Sequence, residues 1–266
     1  MVIIVTRPQP QADEWVAALG ALRAGPVAAV AFPLLRIAPL ADDSAVVRAW
    51  QALPQASAVM FVSAHAVAAF FAAAPVGHTW PAGLSAASTG PGTTAALLAH
   101  GVPRSAIVEP DGEAGRFDSE ALWQQLKDQD WQGRRVLVVR GEDGRDWLAE
   151  QWRAAGAELQ HLAAYRRLGP EADPTTLGVL RGLQAQGSVP VWLFSSSEAA
   201  AYLRPLAAAA GLGESPWHLH RALATHERIA ETVRTLGFGQ VALVVATPQA
   251  VADAAAAMPG TVGSAT

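Results

Sequence analysis

Short runs of aliphatic and β-branched residues alternate along the whole chain with longer segments whose apolar positions recur every three to four residues. That alternation predicts an α/β fold with mainly parallel sheets flanked by helices. Strands are expected near residues 2–6, 27–32, 58–62, 84–88, 105–109, 135–140, 158–164, 190–195, 218–224 and 240–246. Helical patterns fill most of the gaps, among them Ser119 to Lys127 and Asp146 to Ala155. The last stretch, Pro259 to Thr266, has the small residues of a mobile tail.

The strands repeat an internal pattern. Phe61 to Val67 parallels Phe194 to Ala200, each a strand end followed by a hydroxyl cluster and a helix start. Thr89 to Gly101 parallels Thr225 to Gly237, where a strand ends in Thr and the following helix stops at Gly. Read cyclically, Val136 to Arg140 returns at Val2 to Arg7, Trp147 at Trp15, and Tyr165 to Pro170 at Leu34 to Pro39. The order predicts two similar lobes, one discontinuous (1–36 plus 170–266) and one continuous (40–165). The chain then crosses between them at 33–40 and 164–171, two extended stretches able to pair as a hinge, with the site expected in the cleft between the lobes.

Composition narrows the classes. With 51% hydrophobic and 16% charged residues, the 266-residue chain has the material for a sizeable core. No apolar run reaches the roughly 18 residues of a membrane helix, since even Ala199 to Ala210 is broken by Arg204 and Pro205. The N-terminal segment lacks the pattern of a signal peptide, so a cytoplasmic protein without membrane contact is expected. The absence of cysteine excludes disulfides, thiolate catalysis and Cys-ligated metals. A net charge of −4 leaves no general nucleic-acid footprint. Of the 19 basic residues only Lys127 is lysine, which fits a GC-rich coding bias and equally fits bidentate recognition of carboxylates or phosphates.

In open α/β sheets ligands collect at the carboxyl ends of the strands, and here those ends are polar. The continuous lobe offers Ser63, Thr89-Gly90 with Thr93, and Arg140-Gly141 followed by Arg145; the other offers Thr6-Arg7, Ser195-Ser196-Ser197 and Thr225 to Arg228. Singly, each Ser or Thr is an N-cap; as a set they describe a donor-rich anion site at helix N-termini, poor in nucleophiles. Gly90-Pro91-Gly92-Thr93-Thr94 lacks the Lys and spacing of a phosphate loop. Arg140 and Arg145 flank two acids, a pattern that serves a solvated turn or a carboxylate clamp. His218, His220 and His226 lack the clustered carboxylates of a metal site, and none is expected. Tyr165, one of two tyrosines, sits at a crossing beside Arg166 and Arg167, where it either packs the hinge or offers a phenolic proton.

With these segments in view, the chain resembles the uroporphyrinogen-III synthase family. The resemblance rests on Val5-Thr6-Arg7-Pro8, Phe32-Pro33-Leu34, Phe61 to Val67, Gly90 to Ala95, Ser119 to Leu122, Arg140-Gly141 with Gly144-Arg145, Tyr165-Arg166, and Thr225 to Gly237. It implies two α/β lobes of flavodoxin-like build joined by a two-stranded β ladder. It implies a reaction that needs no cofactor: hydroxymethylbilane loses water and closes to uroporphyrinogen III with its last pyrrole ring inverted, through an azafulvene and a spiro intermediate. Tyr165 matches the family's proton donor, and the polar strand ends would hold the substrate's carboxylates. A monomer receiving its substrate from hydroxymethylbilane synthase is the expected arrangement. One turn departs from the pattern: where some members carry Gly-Pro-Thr-Thr, this chain reads His226-Glu227-Arg228-Ile229, leaving Arg228 as the candidate contact there. The competing class is a non-catalytic two-lobed cytosolic protein closing on a small anion; a nucleotide-dependent transferase lacks a phosphate loop.

Overall fold

The computed structural model describes residues 1–23, 25–111, 119–142, 147–185, 189–213 and 215–258. The expected tail, Pro259 to Thr266, and residues 143–146, with the candidate Arg145, lie outside the described residues. In chain order the elements are β1 (Val2–Val5), α1 (Gln11–Gly20), β2 (Ala28–Ala31), β3 (Arg36–Pro39), α2 (Ser44–Ala52), β4 (Ala58–Phe61), α3 (Ala64–Ala72), β5 (Ser85–Ser88), α4 (Pro91–Ala99), β6 (Ile107–Val108), α5 (Ser119–Leu126) and β7 (Arg135–Gly141). They continue with α6 (Trp147–Ala154), β8 (Glu158–Leu168), α7 (Pro174–Ala185), β9 (Val191–Phe194), α8 (Ser197–Ala201), α9 (Leu203–Ala209), β10 (Arg221–Ala224), α10 (Glu227–Thr235), β11 (Gln240–Leu243) and α11 (Pro248–Ala257). Contacts divide the chain into two compact units, Met1–Arg36 with Leu168–Thr266, and Ile37–Arg167.

The first unit holds a five-stranded sheet of order β11-β10-β9-β1-β2, all pairs parallel. Its central strand β9, Val-Trp-Leu-Phe, is buried at every position, as a parallel strand covered on both faces must be. Ile3, Val5, Val191, Leu193 and Leu223 point to one face, where they meet Ala12 and Leu19 of α1 and Val251 and Ala255 of α11. Trp192 and Phe194 point to the other and stack at 6.1 Å, with Trp217 and Phe238 set edge-on or tilted around them.

The second unit holds a six-stranded sheet of order β3-β8-β7-β4-β5-β6. Alternation along β4 sorts its core into two layers. Val59 and Phe61 face α2, α3 and α4 through Trp50, Val67, Phe70 and Leu97. Ala58 and Met60 face α5 and α6 through Leu122, Leu126, Leu148 and Trp152. The chain therefore leaves β4 toward one face and β7 toward the other. Adjacent parallel strands whose connections diverge in this way leave a crevice at their carboxyl ends.

Most expected strands are trimmed by a residue or two at their ends, and three lose more. The segment at 105–109 opens with a 3-10 turn, Arg104–Ala106, leaving a two-residue β6. The 218–224 strand begins only at Arg221, because Trp217–Leu219 forms a 3-10 turn closed by the His220 N–H on the Trp217 carbonyl at 2.9 Å. The last strand stops at Leu243, shortly before Thr247 caps α11 by accepting the Ala250 N–H at 3.3 Å. Conversely, β8 runs on to Leu168, and β3 lies beside it at the sheet edge.

Candidate functional site

In the second unit the polar strand ends gather on neighbouring strands. Ser63 follows β4 and caps α3, its hydroxyl oxygen accepting the Ala66 N–H at 3.2 Å. The same oxygen lies 3.3 Å from the phenolic oxygen of Tyr165 on β8, 102 residues further along the chain. A bulge makes that meeting possible. Arg140 pairs with Ala163, but Gly141 pairs with Tyr165, so β8 carries an extra residue at this point. Tyr165 thereby joins Leu162 and Ala164 in the core layer against α3 and is only 4% exposed. The Glu142 N–H bonds the Tyr165 carbonyl at 3.0 Å and anchors the irregular segment. The His65 ring stands 6.4 Å from the Tyr165 ring, a neighbour that residue-by-residue reading did not select although it lies in the Ser63 motif.

Beside this pair, β5 ends in the turn that opens α4. Gly90 is the N-cap, at φ +156°, a conformation that L side chains rarely adopt, and Pro91 begins the helix. The Gly90 carbonyl receives the Thr93 and Thr94 N–H groups, both at 3.0 Å. The Thr89 hydroxyl donates to the Val62 carbonyl at 3.3 Å and lies 3.3 Å from the Thr93 hydroxyl, so the Ser63 and Gly90 turns are tied together. Arg140, on β7 next to β4 in the sheet order, is half-buried.

The first unit gathers a second set. The loops after β10, β9 and β1 leave adjacent strands. The Thr6 hydroxyl is buried and donates to the Leu193 carbonyl at 2.7 Å, a structural tie between β1 and β9. Arg7 lies at the mouth of α1 with its guanidinium carbon 4.6 Å from the centre of the Trp15 ring and one nitrogen 3.4 Å from the Gln11 carboxamide oxygen. Its Nε is buried without a hydrogen-bond partner, and desolvation lowers its pKa from the ordinary arginine value. A partly desolvated guanidinium with an unmet donor is poised for an anion.

Ser195 and Thr225 are half-buried beyond β9 and β10. Ser196 caps α8, accepting the Ala199 N–H at 3.2 Å. His226 takes the place of a hydroxyl cap at α10, its Nδ1 accepting the Arg228 N–H at 3.2 Å. Arg228 is exposed, and its carbonyl accepts from the Ser197 and Thr232 hydroxyls at 3.4 and 3.0 Å. Among the described residues, no three His, Asp or Glu side chains gather as metal ligands would.

Comparison with known proteins agrees with the resemblance. A family model described as Uroporphyrinogen-III synthase HemD matches residues 13–252. The uroporphyrinogen-III synthase of Escherichia coli is 31% identical over 252 residues, 91% of this chain and 94% of its own length. That of Salmonella typhimurium is 34% identical over 176 residues, 65% of this chain and 68% of its own. A crystal structure of a mutant uroporphyrinogen III synthase from Thermus thermophilus shares the fold at TM-score 0.58 and 16% identity, with 96% of each chain covered. By model and by relatives alike, the chain belongs to the uroporphyrinogen-III synthase family, cyclising lyases of tetrapyrrole biosynthesis.

Proposed function

We propose that the chain closes hydroxymethylbilane to uroporphyrinogen III, with loss of water and inversion of ring D. The observation that carries this reading is the Ser63–Tyr165 pair, a phenol held 3.3 Å from a capping serine at the carboxyl edge of a parallel sheet. Departure of the substrate's hydroxyl group needs a proton, and the Tyr165 phenol is the donor, directly or through water. The leaving group departs as water, and the azafulvene left behind bonds to the substituted α carbon of ring D as a spiro intermediate. The original bridge to that carbon then breaks and re-forms at the free α position of ring D with loss of its proton. Since the open substrate can close unaided to the type I isomer, the protein contributes mainly orientation. The carboxylates of the substrate are held by Arg7, Ser63, Thr89, Gly90, Thr93, Arg140, Arg145, Ser195, Ser196, Thr225 and Arg228.

The same reading treats the units as two similar lobes of flavodoxin-like build, with β3 and β8 as the paired crossing strands. Supporting it, the order β2-β1-β9-β10-β11 in one sheet corresponds to β8-β7-β4-β5-β6 in the other once β7 and β8 are taken as counterparts of β1 and β2. A cytoplasmic monomer that receives its substrate from hydroxymethylbilane synthase completes the proposal.

Freshly prepared hydroxymethylbilane incubated with the pure protein should give mainly the type III isomer after oxidation of the products. Type I alone, at the spontaneous rate, would sink the reading. Tyr165→Phe should slow single-turnover closure by about 10²–10⁴-fold, the range for loss of a general acid, while binding of substrate changes little. An unchanged single-turnover rate removes Tyr165 from the chemistry.

A further inference from the structure

The residues assigned to substrate leave one polar chain behind the Gly90 turn without a role. The Thr94 hydroxyl donates to Glu109 Oε2 at 2.5 Å and lies 2.9 Å from Ser88 Oγ. With the Thr94 proton engaged by Glu109, the fully buried Ser88 turns its own hydroxyl proton to Thr94 Oγ1 and accepts the Gly90 N–H at 3.3 Å, while the Gly90 carbonyl is already met by the Thr93 and Thr94 N–H groups. Glu109 is in turn paired at 2.5 Å with Arg104, its side chain 22% exposed against 59% for the arginine. One continuous path thus runs from a surface arginine to the residue whose backbone shapes the mouth of α4.

A carboxylate is an expensive way to tie a turn. Drawing it out of water costs free energy that a neutral amide or an apolar contact would not incur. It also places negative charge behind a turn assigned to anions, which Arg104 offsets. What the carboxylate supplies is a strong, directional acceptor that locks the Thr94 hydroxyl and, through Ser88, the Gly90 peptide. Glycine at φ +156° has many backbone alternatives, so its peptide needs an external hold if it is to be preset for a ligand.

We propose that Glu109 is a positioning residue for the reaction: through Thr94 and Ser88 it fixes the Gly90 peptide, and with it the Thr89, Gly90 and Thr93 groups that receive substrate carboxylates. The inference rests on the reading of that turn as a substrate contact. Steady-state closure of hydroxymethylbilane is measured for Glu109→Ala, Thr94→Val, the conservative Glu109→Gln and Thr94→Ser, and Thr93→Val, with thermal unfolding followed alongside. Glu109→Ala and Thr94→Val should raise KM about tenfold with kcat within about twofold, and the two conservative variants should restore KM to within about threefold of the parent. If KM stays at the parent value in Glu109→Ala and Thr94→Val but rises in Thr93→Val, the turn contacts substrate and the positioning role is wrong. If all three leave KM unchanged, the turn is no substrate contact and the proposal falls with that reading. Should Thr94→Val not fold, the Glu109→Ala and Glu109→Gln pair decides between the first two outcomes.

Discussion

Lowering the pH should weaken the first unit, and one identifiable part of that loss comes from His220. The ring is 5% exposed and lies 5.0 Å from Trp217 and 6.0 Å from Phe238, and its Nδ1 has no hydrogen-bond partner. Desolvation, and secondarily the nearby His218, pushes its pKa down from 6.5 to about 4. An unfolded chain binds a proton at this position below pH 6.5, whereas the folded one resists until about pH 4. The unfolded state therefore holds more protons between those values, and stability falls as the pH is lowered through that window. The contribution of neutral His220 is complete above pH 6.5 and is lost toward pH 4. At pH 5 the loss is on the order of 2 kcal/mol relative to pH 8, nearer 1 kcal/mol once solvent screening is allowed for. The screened value corresponds to about 2–4 °C in Tm for a chain of this size. The assay is thermal unfolding of the parent and His220→Phe from pH 8 to pH 4.5, with the difference between the two curves as the readout. Phenylalanine fits an aromatic slot and cannot titrate, so it should gain on the parent as the pH drops. Parallel curves across the window would refute the reasoning, because other titrating groups are common to both proteins.

Ser63→Ala removes both the cap of α3 and the partner of the Tyr165 phenol. Unfolding should show a loss of about 1–2 kcal/mol, and single-turnover closure should slow by less than in Tyr165→Phe; full stability would mean that neither bond counts. His226→Ala should cost about 1 kcal/mol by denaturant titration, while His226→Ser keeps an acceptor for the Arg228 N–H and should stay near the parent; equal losses would show that the ring caps nothing.

Strands buried on both faces were the easiest features to read in the sequence. Val191-Trp-Leu-Phe and Ala58-Val-Met-Phe are unbroken apolar runs bounded by polar turns, and both are central strands. Strand ends were harder, because a strand lasts only as long as its neighbour. Val244 donates its last ladder-like bond to Ala224 at 3.0 Å, where β10 itself ends, so the apolar Val245 and Ala246 beyond it have no strand to join. His218-Leu219-His220 alternates like a strand, yet a 3-10 turn takes its hydrogen bonds first. Candidate contacts at strand ends were legible for the same reason that the strands were. The partners that hold them were not: Glu109 lies 15 residues from Thr94, and nothing in its own neighbourhood announces the contact.

Tyr165 shows why a candidate residue can be picked out in a sequence while its surroundings stay illegible there. Strict alternation along β8 would put Leu162, Ala164 and Arg166 on one face and Tyr165 on the other, toward α5 and α6. The structure instead buries Leu162, Ala164 and Tyr165 together against the layer that contains α3. The register slips between Arg140 and Gly141, and the extra residue on β8 turns the phenol toward Ser63. Regular pairing secures β7 and β8 over the six residue pairs from Arg135 with Glu158 to Arg140 with Ala163, so the local departure is held by a well-paired ladder beneath it. Bulges re-aim side chains at the cost of ladder bonds. Here the Glu142 N–H restores one of them by bonding the Tyr165 carbonyl at 3.0 Å. The periodicity that identifies β8 as a strand is thus the very pattern that Tyr165 must break to reach Ser63. Reading the pattern locates the residue, and only the break in register explains its reach.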